Sequence, residues 1–262
     1  TKGKLVQSGS GYGALENACR LKCGENLLSE HLDFTSTDER QQEWYAFLEN
    51  GFLATPEPSR RPSAFMKDEI WFGLLKKSIA GRDRENWYAH YQLGLQYLYR
   101  ADVEHAVRRF ESSLALQDNP WAWHGMAVCL VRTGRRGEGV RAIWNGLLMR
   151  LEDLTYVKEG MSLLLQMQAH DKMLEVYDLL AEKLKEESRV RFLYIQALAG
   201  VGEYRKAMDL LMEKGGLEIA DIREGDRTME QLWEKLCRSL YGSLRPVPHK
   251  LNFMAVSENY NR

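Results

Sequence analysis

The sequence is poor in residues that stop helices and in residues that cross-link chains. Of 262 residues, six are proline and four are cysteine. Four spread thiols, Cys19, Cys23, Cys129 and Cys237, exclude a disulfide-dense secreted scaffold and fit a reducing, cytoplasmic setting. Cys19 and Cys23 share a helical face, but no second pair completes a zinc set. Charge of one sign is missing too: 36 basic side chains meet 37 acidic ones, a formal net charge of −1. That balance gives no global attraction to nucleic acid or to an anionic membrane, and neither is expected as a partner. The longest apolar run, Met126–Val131, is six residues, against the roughly 18 to 20 needed to cross a bilayer. The first ten residues, TKGKLVQSGS, carry no signal-peptide core and no initiator Met. The expectation is a C-terminal portion of a longer protein.

Motifs for chemistry are absent as well. There is no G-x-S-x-G, no G-x-x-x-x-G-K-[ST], no H-E-x-x-H, and no G-x-G-x-x-G opening a βαβ unit. GSGYG at 9–13 follows no strand and reads as a junction rather than a phosphate loop. The six histidines are scattered; His90 and His124 are expected to be surface or groove residues rather than a metal pair. Glu16 reads as a helix-surface carboxylate. No catalytic, cofactor or metal site is therefore expected, and the chain reads as non-enzymatic.

What remains is helix. Between Pro62 and Pro246 only Pro120 intervenes, so consecutive helices with short turns fit that stretch. The stretch repeats. Gly94, Tyr97, Ala106 and Phe110 return as Ala127, Leu130, Gly139 and Ile143. They return again as Met161, Leu164, Met173 and Tyr177, then as Ile195, Leu198, Ala207 and Leu211. The steps between Ala106-type positions are 33, 34 and 34 residues. A turn recurs in step at Ala101-Asp102, Gly134-Arg135, Gln168-Ala169 and Gly202-Glu203.

This pattern resembles the tetratricopeptide repeat, a 34-residue helix–turn–helix unit. The resemblance implies an all-α fold, an α-α superhelix of four repeats with capping helices at both ends. Small residues at Gly94, Ala127, Ala106, Gly139 and Ala207 let helix backbones approach, and bulky neighbours fill the space beside them. One hairpin cannot bury its apolar face alone, so each stacks on the next. The third repeat departs most. Met161 and Met173 replace both small residues, which predicts wider spacing or a slipped register there.

The flanks read as further helices. Residues 37–50 form one, capped by Ser36 and stopped by Gly51. Residues 51–62, GFLATPEPSRRP, are a turn-rich loop. A second helix is expected over 63–80, with Gly73 admitting a close neighbour and Gly81 as its stop. A third starts with Thr228 as N-cap. Leu251, Phe253 and Met254 are too apolar for a free tail and are expected to dock. The expected divisions are residues 1–86, a junction with capping helices; 87–220, four repeats; and 221–262, a capping helix with a docked extended tail.

Several strings also resemble a bacterial family that joins an N-terminal mutarotase-like β-sandwich of unknown function to a tetratricopeptide array. They are GYGALE (11–16), NWYAHYQLG (86–94), NPWAWHGMAV (119–128), ADIREGDRTMEQLW (220–233) and PVPHKLNF (246–253). The resemblance implies that a sandwich domain precedes this segment, with residues 1–20 as the junction and carbohydrate as a ligand class of the parent protein. An accessory role in a carbohydrate-active site on that domain is the alternative to a binding role.

In such arrays the first helices line the concave face. By repeat position that face comprises Tyr88, Tyr91, Leu95 and Tyr99, then Trp121, His124, Val128 and Arg132. Lys158 and Gln166 follow from the third repeat, and Arg189, Phe192 and Gln196 from the fourth. The groove is aromatic at one end and polar-basic toward the other, a composition suited to a protein or peptide partner. The expected function is a non-catalytic binding or scaffold module whose partner is a protein, a peptide or the N-terminal domain of its own chain. Tyr91 and Leu95 stand where chaperone-tail clamps of this repeat type carry Lys and Asn, so that specificity is not implied.

Overall fold

The computed structural model describes residues 12–27, 41–63, 65–80, 85–213, 217, 219, 227–248 and 251. Among the described residues there are thirteen helices and no strand. Eight of the helices follow one another along the chain as four helix–turn–helix repeats. The first helices are α4 (Trp87–Tyr99), α6 (Pro120–Arg132), α8 (Leu154–Gln166) and α11 (Ser188–Gly200). Their partners are α5 (Val103–Leu116), α7 (Arg136–Leu148), α9 (His170–Leu179) and α12 (Tyr204–Met212). Both sets start in steps of 33, 34 and 34 residues, as the sequence period requires.

Local chemistry sets that period. Asn86, Asn119 and Asp153 each precede a first helix, and each side-chain oxygen accepts an amide three residues on, at 2.9, 2.8 and 3.1 Å. These bonds satisfy amides that the helix leaves unpaired. Glu187, at the fourth position, makes no such bond. Each first helix ends in one recurring turn. Ala101, Gly134, Gln168 and Gly202 all have positive φ, at 59°, 71°, 53° and 92°. The next residue's amide then reaches back five residues: Asp102 to Tyr97, Arg135 to Leu130, Ala169 to Leu164, and Glu203 to Leu198, at 2.9–3.0 Å. This is the Schellman arrangement, which normally places glycine at the left-handed residue. Two of the four turns do so.

Two compact units make up the chain, Thr1–Cys129 and Leu130–Arg262, with the division inside α6. In the first unit α1 (Tyr12–Cys23), α2 (Gln42–Asn50) and α3 (Glu69–Ser78) precede the first hairpin. Their core is aromatic: Trp44 meets Phe47 and Trp71 edge-on at 5.9 and 5.5 Å, and Phe72 meets Tyr97 at 5.0 Å. Phe110 of α5 is fully buried between α4 and α6. A methyl group on Gly94 would stand 2.6 Å from the Phe110 ring, and one on Gly125 would stand 2.5 Å from it. The ring thus occupies space that only two glycines leave open.

In the second unit Met161 and Met173 are completely buried, yet helix starts, turn and cap of the third hairpin keep the 34-residue step. The slipped register expected there does not occur, because caps and turns hold it independently of these side chains. Close approach instead uses Gly160, where a methyl would lie 2.6 Å from Leu147. A single turn, α10 (Glu182–Lys185), separates the third and fourth hairpins. α13 (Thr228–Tyr241) closes the unit; Leu232, Trp233, Leu236 and Cys237 join Ile195, Ala207 and Leu211 in one core. Leu251 is fully buried in that core, and Trp233 Nε1 donates to the Arg245 carbonyl at 3.0 Å.

Two helix boundaries and one glycine differ from expectation. α3 begins at Glu69 rather than near Ser63, because Met66 is buried and the Met66 and Lys67 carbonyls accept side-chain bonds from α4 instead of continuing a helix. Gly73 has open space where a side chain would stand, so it admits no close neighbour. Thr228 is the first helical residue of α13, with Arg227 at the cap position and no side-chain cap bond. Gly51 stops α2 as expected, at φ 76°. Ser36, Gly81, Phe253 and Met254 lie outside the described residues.

Candidate peptide-binding face

The aromatic end of the expected groove is covered by the chain itself. Residues 51–68 connect α2 to α3, and their described part contains neither helix nor strand. Structureless connections longer than about 12–15 residues are uncommon in compact domains and are mostly functional or disordered. This one is tied along α4 and α6 by side-chain donors that meet its backbone carbonyls. Asn86 Nδ2 donates to the Leu53 carbonyl at 2.8 Å, and Trp121 Nε1 to the Pro58 carbonyl at 2.8 Å. Gln96 Nε2 donates to the Met66 carbonyl, and Arg100 Nη2 to the Lys67 carbonyl at 3.2 Å. The donors thus begin at the N-cap of α4 and end at its C-cap.

A partly buried polar knot sits at this strap. The Tyr88 hydroxyl and the Ser63 hydroxyl both donate to the Glu43 carboxylate. Trp44 Nε1 donates to Ser63 Oγ at 3.2 Å, and Gln92 Nε2 donates to the Tyr88 hydroxyl at 2.9 Å. Burial, reinforced by the Glu43 charge, pushes the Tyr88 phenol well above its ordinary range, so it stays a donor. Arg60 lies 3.8 Å from the second Glu43 oxygen, a long and exposed pair of small energetic weight.

The expected groove residues therefore divide. Tyr88 is 1% exposed and Phe192 1% exposed. Both belong to the interior, Tyr88 with Glu43 and Phe192 in the core around α13; neither lines a groove, because the helix face that carries each is packed. Trp121 is buried, with its indole N–H on Pro58. Tyr91 and Leu95 are half-buried against Phe110 and its neighbours. Tyr99 is exposed, with Phe65 edge-on at 5.8 Å and Lys67 Nζ over its ring. His124 and Val128 are half-buried. In the second unit Arg132 and Gln166 are exposed, while Lys158, Arg189 and Gln196 are half-buried.

Of the two histidines expected at the surface or in the groove, His90 is interior instead. His90 is buried; its Nε2 lies 2.7 Å from Glu85 Oε1 and its Nδ1 3.4 Å from Arg109 Nη1. Burial lowers its pKa. Burial also holds His124 down to about 4, so it is neutral near pH 7. Among the described residues no group of three His, Cys, Asp or Glu side chains could hold a metal ion, and no helix is long and apolar enough to cross a membrane. Glu16 pairs with Arg20 at 2.9 Å and accepts from Trp71 Nε1 at 3.4 Å, so it is a packing residue of the first unit. The arginines at the turn after α6 lie on a solvated edge: Arg135 pairs with Glu138, and Arg136 donates to the Gln168 carbonyl at 2.9 Å.

Sequence reasoning did not single out Asn86, Gln96 and Arg100. Two signals were present: the long proline-bearing connection, and the amides Gln92 and Gln96 on an otherwise aromatic and apolar helix.

Comparison with solved structures adds a likeness in fold. The chain is similar in structure to a TPR-domain containing protein from Parabacteroides distasonis ATCC 8503, with a TM-score of 0.56 and 18% identity, over 86% of this chain. The fold is the α-α superhelix class of tetratricopeptide type. At this identity the likeness carries the fold and nothing further. The chain spans 41% of the length of that solved chain. No family model matches the chain, and no curated protein matches it.

Proposed function

We propose that this chain is a protein- or peptide-binding scaffold module acting through the first helices of its repeats. One observation supports the reading above the others: α4 and α6 present side-chain donors that hold an irregular backbone segment by its carbonyls. Peptide-binding surfaces need that chemistry, because backbone carbonyls in a groove require donors to replace water. Within the second unit, the polar-basic residues Arg132, Lys158, Gln166, Arg189 and Gln196 on the first helices are candidate binding residues of that unit. The N-terminal sandwich domain implied by the sequence resemblance is one partner this reading admits.

A random library of 16-residue peptides panned against the chain tests the reading. Saturable binders are expected, weakened at least tenfold by Arg132→Ala combined with Gln196→Ala. A library that yields no saturable binder, for this chain or for one with a loosened strap, overturns it.

A further inference from the structure

We propose that the described residues of the 53–68 segment, 53–63 and 65–68, are a built-in occupant of the peptide-binding face of the first hairpin, so that this face takes a proline-bearing backbone and a partner gains access by displacing the strap. The inference rests on the binding role proposed above.

Three features carry it. The contacts recognise main chain: the acceptors are carbonyls of Leu53, Pro58, Met66 and Lys67, and each donor is a side chain of α4, its two caps, or α6. Such contacts do not depend on the identity of the held residue, so another segment with free carbonyls can take the same donors.

The strap also suits an occupant. It holds Pro56, Pro58 and Pro62, half of the prolines in the chain. Proline removes N–H donors and stiffens the backbone, leaving carbonyls to be met by the face and lowering the entropy lost on docking. Among its described residues the segment makes one turn of its own, with the Arg60 amide on the Glu57 carbonyl at 2.9 Å.

Finally, the buried apolar anchors lie at its ends, and the middle is held by the Trp121 bond to the Pro58 carbonyl. Leu53 and Met66 are buried, whereas Ala54, Thr55, Glu57, Ser59, Arg60 and Arg61 between them are exposed. A middle with few buried apolar groups opens at lower cost than the core beneath it. Tethering at both ends gives the middle an effective concentration in the millimolar range, which a free partner must overcome.

The test compares the native chain with a loosened one carrying Pro56→Gly, Pro58→Gly and Arg60→Ser, which keeps both buried anchors. A fluorescent peptide of residues 53–68 is titrated against each by anisotropy. Saturable binding to the loosened chain, and binding to the native chain at least tenfold weaker, is the expected result. Equal binding by both overturns displacement while leaving the binding role intact. No binding to a loosened chain that retains its helical circular dichroism overturns the strap as occupant, and the library experiment then judges the binding role separately. Should the loosened chain fail to fold, hydrogen exchange on the native chain decides. Amides between Ala54 and Arg61 are expected to exchange at least a hundredfold faster than those of α4, and matching protection overturns the proposal.

Discussion

The first and third hairpins share a backbone and differ in how they fill it. In α4–α5 a glycine at position 94 admits the fully buried Phe110 ring. In α8–α9 the two small positions hold Met161 and Met173, both completely buried. Start, cap and turn are nevertheless equivalent: Asn86 answers to Asp153, and Ala101 to Gln168. The lesson is a division of labour. Termini set the repeat length through backbone hydrogen bonds, and the interior accepts either a small residue facing a ring or flexible methionines that fill the gap themselves.

The largest effects should have opposite chemical causes in the two hairpins. Met161→Ala leaves a cavity and should cost about 2–5 kcal/mol. Gly94→Leu drives a side chain into the Phe110 ring and should cost about 1–3 kcal/mol or more. Denaturant midpoints for both variants check this. A neutral Gly94→Leu, or a stabilising Met161→Ala, would erase the distinction.

Acid sharpens the comparison next, since α4 carries the buried His90 and α6 the half-buried His124, both with lowered pKa, while α8 carries no histidine. His124 is held neutral down to about pH 4 in the fold, while the unfolded chain takes up its proton near pH 6.5. Stability is therefore full above that value and falls as pH drops from about 6.5 toward 4, on the order of 3 kcal/mol for this group. Urea midpoints across that window should fall, less steeply in His124→Gln and with unchanged slope in Met161→Ala. A pH-independent midpoint in the native chain would refute the assignment.

The turns predict a smaller and signed pattern. Ala101→Gly and Gln168→Gly should each stabilise by about 1 kcal/mol, because an L-residue in the left-handed region is strained. Gly134→Ala should destabilise by a similar amount. The expected ordering of melting temperatures is glycine above alanine at every one of these turns, and reversal at any of them would break the equivalence of the hairpins. Smallest of all, Arg136→Ala should shift stability by less than about 0.5 kcal/mol, since its bond to Gln168 is solvent-exposed.

Much of the fold was legible because repetition amplifies weak signals. The steps of 33, 34 and 34, and all four turn positions, follow from comparing the sequence with itself. Single elements were less legible. The helix expected from Ser63 starts at Glu69 because Gln96 and Arg100 compete for the carbonyls its first turn would have used. The expected groove suffered in the same way. Tyr88 and Trp121 have the composition of binding residues, and no local pattern indicates that Glu43 and Pro58, 45 and 63 positions away, engage them.

By itself the sequence determined the helical class, the repeat length and the turn sites, since each depends on neighbours within a few residues or on periodic copies of them. Only the tertiary structure decided which aromatic side chains are interior and which surface the chain covers with its own proline-bearing strap. Those outcomes depend on contacts between segments far apart in sequence, where a buried donor takes whichever carbonyl the fold brings within reach.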